Sequence, residues 1–343
     1  MKHSFRIGLL ILAAVTADHA LSQQAKTRKA AAPLPVIDMH IHASSVSEFG
    51  GGGMSACIGD QRLILPAVDP RSPPETKNLM ECASEIKGSA SDEALLSETI
   101  AELRRHNVRR AIAMGGVEKV AEWTTAGEGL FIPGLNFSRR DRSADEFRRL
   151  YEEGKFKVFA EIGPQYRGFS PSDPVWEPYF ALAEELDIPV GIHMGEGPPG
   201  GVHVIGPSTY RVSLGNPLLL EELLVRHPKM RVYVMHYGSP LIDEMIAMLF
   251  SHPHLYVDIS CNVWLLPRKQ FYEHLSRLID AGYEKRIMFG SDQMAWPGTI
   301  GKAIESVEKA PFLNESQKRD ILYNNAARFL RLTKEEIDRD HGR

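Results

Sequence analysis

Eight short apolar runs recur along the chain, most of them ending in a polar residue or a glycine. They fall at 36–42 (VIDMHIH), 109–115 (RRAIAMG), 130–137 (LFIPGLNF), 157–163 (KVFAEIG), 188–194 (IPVGIHM), 231–237 (RVYVMHY), 255–260 (LYVDIS) and 286–292 (RIMFGSD). Continuous apolar runs of this length describe strands buried on both faces. Stretches with apolar residues at helical spacing lie between them, at 93–106, 175–187, 217–227, 240–250 and 267–281. Alternating strands and helices predict βα units and a parallel sheet. Eight such strands are what a closed (β/α)8 barrel requires. The expected fold is therefore α/β, a (β/α)8 TIM barrel with a long insertion after its first strand.

A barrel of this kind takes roughly 250 residues, more with insertions, so one domain uses most of the 343 present. We place it at 35–335, with a closing helix at 315–332 and a short tail at 336–343. The insertion, about 43–92, holds Gly50–Gly53, Cys57, Pro66, Pro70, Pro73, Pro74 and Cys82 and shows no clear periodicity. A loop this long signals function or disorder. Leaving the C-terminal end of the first strand, it is expected to cover substrate.

The N-terminus reads differently. Lys2, His3 and Arg6 precede an apolar run from Ile7 to Val15, and small residues at Ala20 and Ser22 follow. This is the layout of a secretory signal peptide cleaved near Ser22, with 23–34 as a linker. The apolar run is too short to anchor in a membrane, so a periplasmic or secreted protein is expected. There are three cysteines. In an oxidising compartment Cys57 and Cys82 are placed to close a loop, leaving Cys261 free; three reduced thiols are equally compatible with the spacing. The formal net charge of −4 gives no electrostatic reason to expect nucleic acid or an anionic membrane as partner. A small-molecule substrate is the partner expected.

The chemistry sits at the strand ends. His40 and His42 are two apart, so both imidazoles point to one side of a strand. His193, His236 and Asp292 each close an apolar run, and Glu161 falls late in another. The C-terminal ends of barrel strands converge on one mouth, where such residues read as catalytic. A single strand-end histidine is usually a hydrogen-bonded core residue, and a strand-end aspartate is often a cap. Six such groups collected at one mouth are harder to explain that way. Three or more nitrogen and oxygen donors with an open position suit a catalytic metal.

The order His-x-His, Glu, His, His, Asp along strands one, four, five, six and eight resembles the amidohydrolase superfamily. Asp38-Met39-His40-Ile41-His42, Gly290-Ser291-Asp292 and Asn325-Ala326-Ala327-Arg328 are similar to its amidohydrolase-related subfamily. The resemblance spans 36–332. It implies one or two divalent ions at the strand ends, and hydrolysis of amides or esters, with decarboxylases and hydratases among the relatives. It implies that His40, His42 and Asp292 hold one ion. His193 and His236 would hold a second, or His193 would complete the first site. Glu161 matches a bridging-carboxylate position that many members fill with a carboxylated lysine.

The ligand types suit zinc, and also manganese, iron, nickel or cobalt. The expected activity is hydrolysis by a metal-activated water of an amide, ester, lactone or related bond in a small organic substrate. Asp292 would shuttle the proton, and His236 or the second ion would polarise the carbonyl. A metal-dependent decarboxylase or hydratase is the alternative, and a barrel that binds without turnover is a third reading. Asp38 is expected to support the site rather than ligate. Arg167, His203, Tyr210 and Arg211 follow strands four and five and are candidate substrate contacts. Trp264 and Trp296 form an aromatic wall or simply pack.

Overall fold

The computed structural model describes residues 34–60, 62–72, 80–137, 142–205 and 209–343. The expected signal peptide, the linker up to residue 33, and Pro73 and Pro74 of the insertion lie outside the described residues. Pro35–Arg343 forms one compact unit.

Eight parallel strands make its sheet: β1 Val36–His42, β2 Val108–Gly115, β3 Phe131–Leu135, β4 Val158–Ile162, β5 Val190–His193, β6 Val232–Met235, β7 Tyr256–Asp258 and β8 Ile287–Met288. They neighbour one another in chain order. The Met39 amide bonds to Phe289 O at 2.9 Å and the Asp292 amide to His40 O at 2.7 Å, joining the last strand to the first. The eighth strand is shorter than the sequence suggests because the chain bends toward the barrel mouth, with Asp292 at a left-handed φ of 52°.

Helices alternate with the strands: α1 Asp92–Arg105, α2 Val117–Gly127, α3 Ala144–Glu152, α4 Glu177–Glu185, α5 Glu221–Arg226, α6 Ile242–Ser251, α7 Arg268–Asp280 and α8 Thr299–Glu308. Their starts are written locally. The Ser91 side chain accepts the Ala94 amide at the head of α1, and Ser143 with Glu146 forms a capping box on α3. Helices α2, α3 and α8 were not anticipated from the sequence. Among the described residues no helix is long and apolar enough to cross a membrane.

Strand alternation divides the core in two. Val36, Ile41, Val190, Ile192, Val232 and Val234 pack outward in a layer that includes Trp123, Phe147, Leu223 and Leu275. Ile37, Met39, Ile112, Met114, Val158, Ala160, Tyr233, Met235 and Met288 form a second cluster inside the barrel. Tyr323, Ala326 and Phe329 join this inner cluster from the C-terminal helical segments Glu315–Arg319, Asp320–Asn324 and Asn325–Phe329.

Two strands break the alternation. The pairing of β1 with β2 slips between Asp38 and Ile41, and that of β4 with β5 slips between Phe159 and Ile162. Irregularities of this kind re-aim side chains. His40 thus follows Met39 to the inside, and Glu161 follows Ala160.

Residues 336–343, expected as a tail, carry most of a further helix, α9 Lys334–Asp340. Thr333 and Glu336 form its capping box. Its last residue, Asp340, is buried, accepting Arg110 Nε at 2.7 Å and the Tyr323 hydroxyl at 2.8 Å. This long-range ion pair is invisible in the local sequence.

The segment between β1 and α1 is partly ordered by antiparallel ribbons. Ser55–Cys57 pairs with Glu85–Lys87, and Leu63–Ile64 with Glu81–Cys82. Cys57 and Cys82 are disulfide-bonded, with Cα atoms 5.7 Å apart, and Cys261 is free. Backbone bonds tie the segment to the loops after β7 and β8. Gly59 N donates to Trp264 O (2.8 Å), Arg268 N to Gly59 O (2.7 Å) and Ser89 N to Ala295 O (3.0 Å). A side chain at position 59 would sit 1.9 Å from Leu266 O, so only glycine permits this approach.

Candidate metal centre

The strand ends bring His40, His42, Glu161, His193, His236 and Asp292 into one cluster at the barrel mouth. His40, His236 and Asp292 have ligand atoms close enough to share a cation; so do His40, His42 and Glu161, and so do Glu161, His193 and His236. His42 Nε2 lies 3.3 Å from His40 Nε2 and 2.9 Å from Asp292 Oδ1. His40 Nε2 is 3.6 Å from Asp292 Oδ1. On the other side, His193 Nδ1 makes a short bond to Glu161 Oε1, and His236 Nε2 lies 3.2 Å from the same oxygen. Glu161 Oε2 faces His40 Nε2 and His42 Nε2 at 3.8 Å each.

The far nitrogens are occupied elsewhere. His193 Nε2 contacts Glu196 O at 3.1 Å. His236 Nδ1 contacts Ser260 O at 3.1 Å, and His40 Nδ1 contacts Ser260 Oγ at 2.9 Å. Such contacts orient an imidazole so that its free nitrogen faces the metal. Asp292 Oδ1 is buried with two imidazole nitrogens beside it, His42 Nε2 at 2.9 Å and His40 Nε2 at 3.6 Å. These donors and this geometry fit a divalent cation.

Charges compensate within the cluster. Burial alone would raise the Glu161 carboxyl, but the charge and hydrogen bonds of His193, with His236, hold it well below the ordinary range. Burial likewise opposes ionisation of Asp292, yet His40 and His42 bring it below its usual value. Burial disfavours charge on His40 and His236. Asp292 nonetheless raises His40, and the hydrogen bond and charge of Glu161 raise His236 to about 10. Beneath them Asp38 Oδ1 accepts the amides of His40 (3.0 Å) and Ser291 (2.9 Å), while burial pushes its carboxyl up to about 7.

Residues 37–332 match the family described as Amidohydrolase. The chain belongs to this family. No curated protein sequence matches it significantly. Solved structures share the fold. An uncharacterized TIM-barrel protein from Bordetella bronchiseptica superposes with a TM-score of 0.59 at 16% identity, over 90% of this chain and 100% of that one. A probable 2-pyrone-4,6-dicarboxylic acid hydrolase from Acinetobacter baumannii gives 0.57 at 14% identity, over 87% and 99%. A 5-carboxyvanillate decarboxylase from Novosphingobium aromaticivorans, solved with bound manganese, gives 0.51 at 16% identity, over 68% and 80%. The amidohydrolase barrel thus has neighbours named for hydrolysis and for decarboxylation.

Of the loop residues singled out from the sequence, Tyr210 is buried near the cluster. Its hydroxyl accepts the Gly197 amide at 2.8 Å, and its ring stacks on Tyr166 with centroids 5.9 Å apart. The Tyr166 hydroxyl in turn lies 2.9 Å from His193 Nε2. Arg167, His203 and Arg211 are exposed, and Arg211 Nη1 donates to Tyr210 O at 2.7 Å. Trp264 and Trp296 are buried and donate to Ser291 O and Met54 O, each at 2.7 Å. Phe49 of the insertion sets its ring edge-on to His42 at 5.3 Å.

Sequence reasoning missed Asp258 and Ser260. Asp258 lies within the apolar run 255–260, as Glu161 lies within its own, and that signal was there to be used.

Proposed function

We propose that the protein is a metal-dependent hydrolase that holds two divalent ions side by side and cleaves an amide, ester, lactone or related bond of a small organic substrate. The Glu161 carboxylate carries this reading. Its Oε2 faces His40 and His42, and its Oε1 faces His193 and His236. With one oxygen toward each imidazole pair, the carboxylate would serve both donor sets. His40, His42 and Asp292 would hold the first ion, and His193 and His236 the second. Imidazole and carboxylate donors suit zinc, with manganese, iron, nickel or cobalt as further candidates. Such ions, when bound, supply a Lewis acid and lower the pKa of water.

The chain's own groups do the rest. Asp292, buried beside His40 and His42 and held ionised by them, is a base placed to take a proton from water and return it to the leaving group. His236 Nδ1, 4.0 Å from Asp292 Oδ2, favours the ionised carboxylate that this exchange needs. The Tyr166 hydroxyl offers a hydrogen bond beside His193, and Tyr210 supports it. The exposed Arg167, His203 and Arg211 would meet the outer parts of the substrate.

Metal analysis of wild type and Glu161→Gln, both purified without chelator, tests this. Two ions per chain are expected in the wild type, and one or fewer in the variant. One ion in both would remove Glu161 from the bridge and favour a decarboxylase, as the manganese-bound neighbour is named, or a hydratase. No ion in either, even with zinc or manganese added, would sink the metal reading.

We also infer export to the periplasm or beyond. The basic start and apolar run of residues 2–15 support it, as does the Cys57–Cys82 bridge. N-terminal sequencing of the exported protein should begin near Gln23; an uncleaved Met1 in the mature protein would count against it.

A further inference from the structure

Ser260 sits between the two imidazole pairs and touches one member of each. Its Oγ is 2.9 Å from His40 Nδ1, 3.1 Å from His236 Nδ1 and 2.5 Å from Asp258 Oδ1. A hydroxyl has one proton to donate and two lone pairs with which to accept. The direction of these three contacts follows from Asp258. Its Oδ1 already accepts the backbone amides of His236 (2.9 Å) and Ser260 (3.1 Å). With two N–H groups aimed at it, that oxygen is an acceptor, so the third contact has the Ser260 hydroxyl donating. The single proton of Ser260 is thereby committed, and Oγ turns only lone pairs toward the histidines. Both His40 and His236 must then carry a proton on Nδ1, which on His236 the Ser260 carbonyl, also at 3.1 Å, accepts as well.

We propose that Asp258 and Ser260 are positioning residues that set one tautomer on both His40 and His236, leaving each Nε2 directed at the carboxylates of Glu161 and Asp292. The consequence for metal binding rests on the two-ion reading above, because His40 belongs to the first donor set and His236 to the second. The premise rests on the hydrogen-bond directions alone. Asp258, Ser260, His40 and His236 are all buried. Gly290 makes room for them: a Cβ there would lie 2.9 Å from His40 Cβ, 3.1 Å from Ser260 Cβ and 3.4 Å from Asp258 Oδ2. Water cannot replace a hydroxyl in so tight a space without rearrangement. The effect of Asp258 is also directional. An asparagine would keep its oxygen under the two backbone amides and set its NH2 where Oδ2 now lies 3.5 Å from His40 Nδ1, opposing a proton there and favouring the tautomer with its proton on Nε2, which cannot ligate.

Two measurements test this on the full-length protein and its Ser260→Ala, Ser260→Thr and Asp258→Asn variants. The first is zinc affinity by competition with a chromogenic chelator. Loss of an outer hydrogen-bond partner typically costs about 10–100-fold in metal affinity. That loss is expected for Ser260→Ala and Asp258→Asn, with Ser260→Thr recovering most of it. Melting of the metal-free variants near the wild-type temperature would separate the loss from misfolding. The second is long-range 15N NMR of the histidine rings in metal-free protein, recorded at a pH high enough that both rings have lost their second proton. Protonated Nδ1 is expected on His40 and His236 in the wild type, with faster exchange of the His40 ring proton in Ser260→Ala. If the wild type takes up no zinc, the two-ion reading fails, and the ring spectra still decide this inference. An unprotonated Nδ1 on either histidine, or wild-type zinc affinity in a folded Ser260→Ala, would overturn it.

Discussion

At the scale of single residues, the site depends on close approach as much as on donor chemistry. Gly290 stands on the last strand's exit, and its missing side chain is the space into which His40, Ser260 and Asp258 pack. Gly290→Ala adds a methyl where nothing can recede without moving a proposed ligand or its support. Overpacking a dense interior costs about 1–3 kcal/mol. The variant is expected to melt earlier and to bind zinc more weakly, and both are read by thermal denaturation with and without zinc. Unchanged melting and affinity would show that the layer beneath the cluster is looser than its contacts suggest. Asp38 makes the same point: both amides on its Oδ1 come from segments that carry ligands, so it ties the two strand ends together.

At the scale of elements, strand irregularities and the insertion shape the mouth. A regular β1 would keep His40 on the opposite face from Met39, outside the barrel. The slip between Asp38 and Ile41 brings it in, and the slip before Ile162 does the same for Glu161. The insertion is held at Met54, Gly59 and Ser89 by bonds to the loops after β7 and β8, and its two ribbons are linked by the disulfide. A bridge closing a loop with a sequence separation of 25 stabilises the folded form by about 3 kcal/mol in the chain-entropy account. Replacing Cys57 and Cys82 by alanine together is therefore expected to loosen the insertion selectively. Limited proteolysis should cut the variant first between residues 60 and 81, while α-helical circular dichroism stays near wild type. Equal resistance in both proteins would mean that the backbone anchors suffice.

At the scale of the molecule, metal and stability are linked if the proposed function holds. The cluster packs four imidazoles around two carboxylates at the mouth of a folded barrel, a set that the unfolded chain does not hold together. A ligand that binds only the native state adds stability that grows with its concentration, about 2.7 kcal/mol at a hundred times its dissociation constant. Chelation should lower the melting temperature, and zinc in excess should restore it. No response to either would separate the cluster from metal binding.

Much of this was legible in advance. The eight strands lie within a few residues of the apolar runs, because a strand buried on both faces needs a continuous run and the chain carries its own record of burial. The six proposed ligands could be picked out for the same reason, as polar groups at or near the end of such a run, although which way His40 and Glu161 turn could not. Helix α3, by contrast, is capped by Ser143 and Glu146 and packs Phe147, Leu150 and Tyr151 on the core, but charged residues fill most of its short length and no long apolar run marks it.

What the tertiary structure alone decided are the relations between segments far apart in the chain. Alternation cannot announce where a pairing slips, since the slip is defined against a neighbouring strand; hence the inward turn of His40 and Glu161. The Asp340 carboxylate finds Arg110, a partner 230 residues away that docks the C-terminal helix. Ser260 acquires its meaning from two histidines 220 and 24 residues away. Local sequence sets which groups are buried and at which strand end, because burial pattern is a one-dimensional property. Which atom faces which, and with whose proton, is settled only when the strands close into a ring.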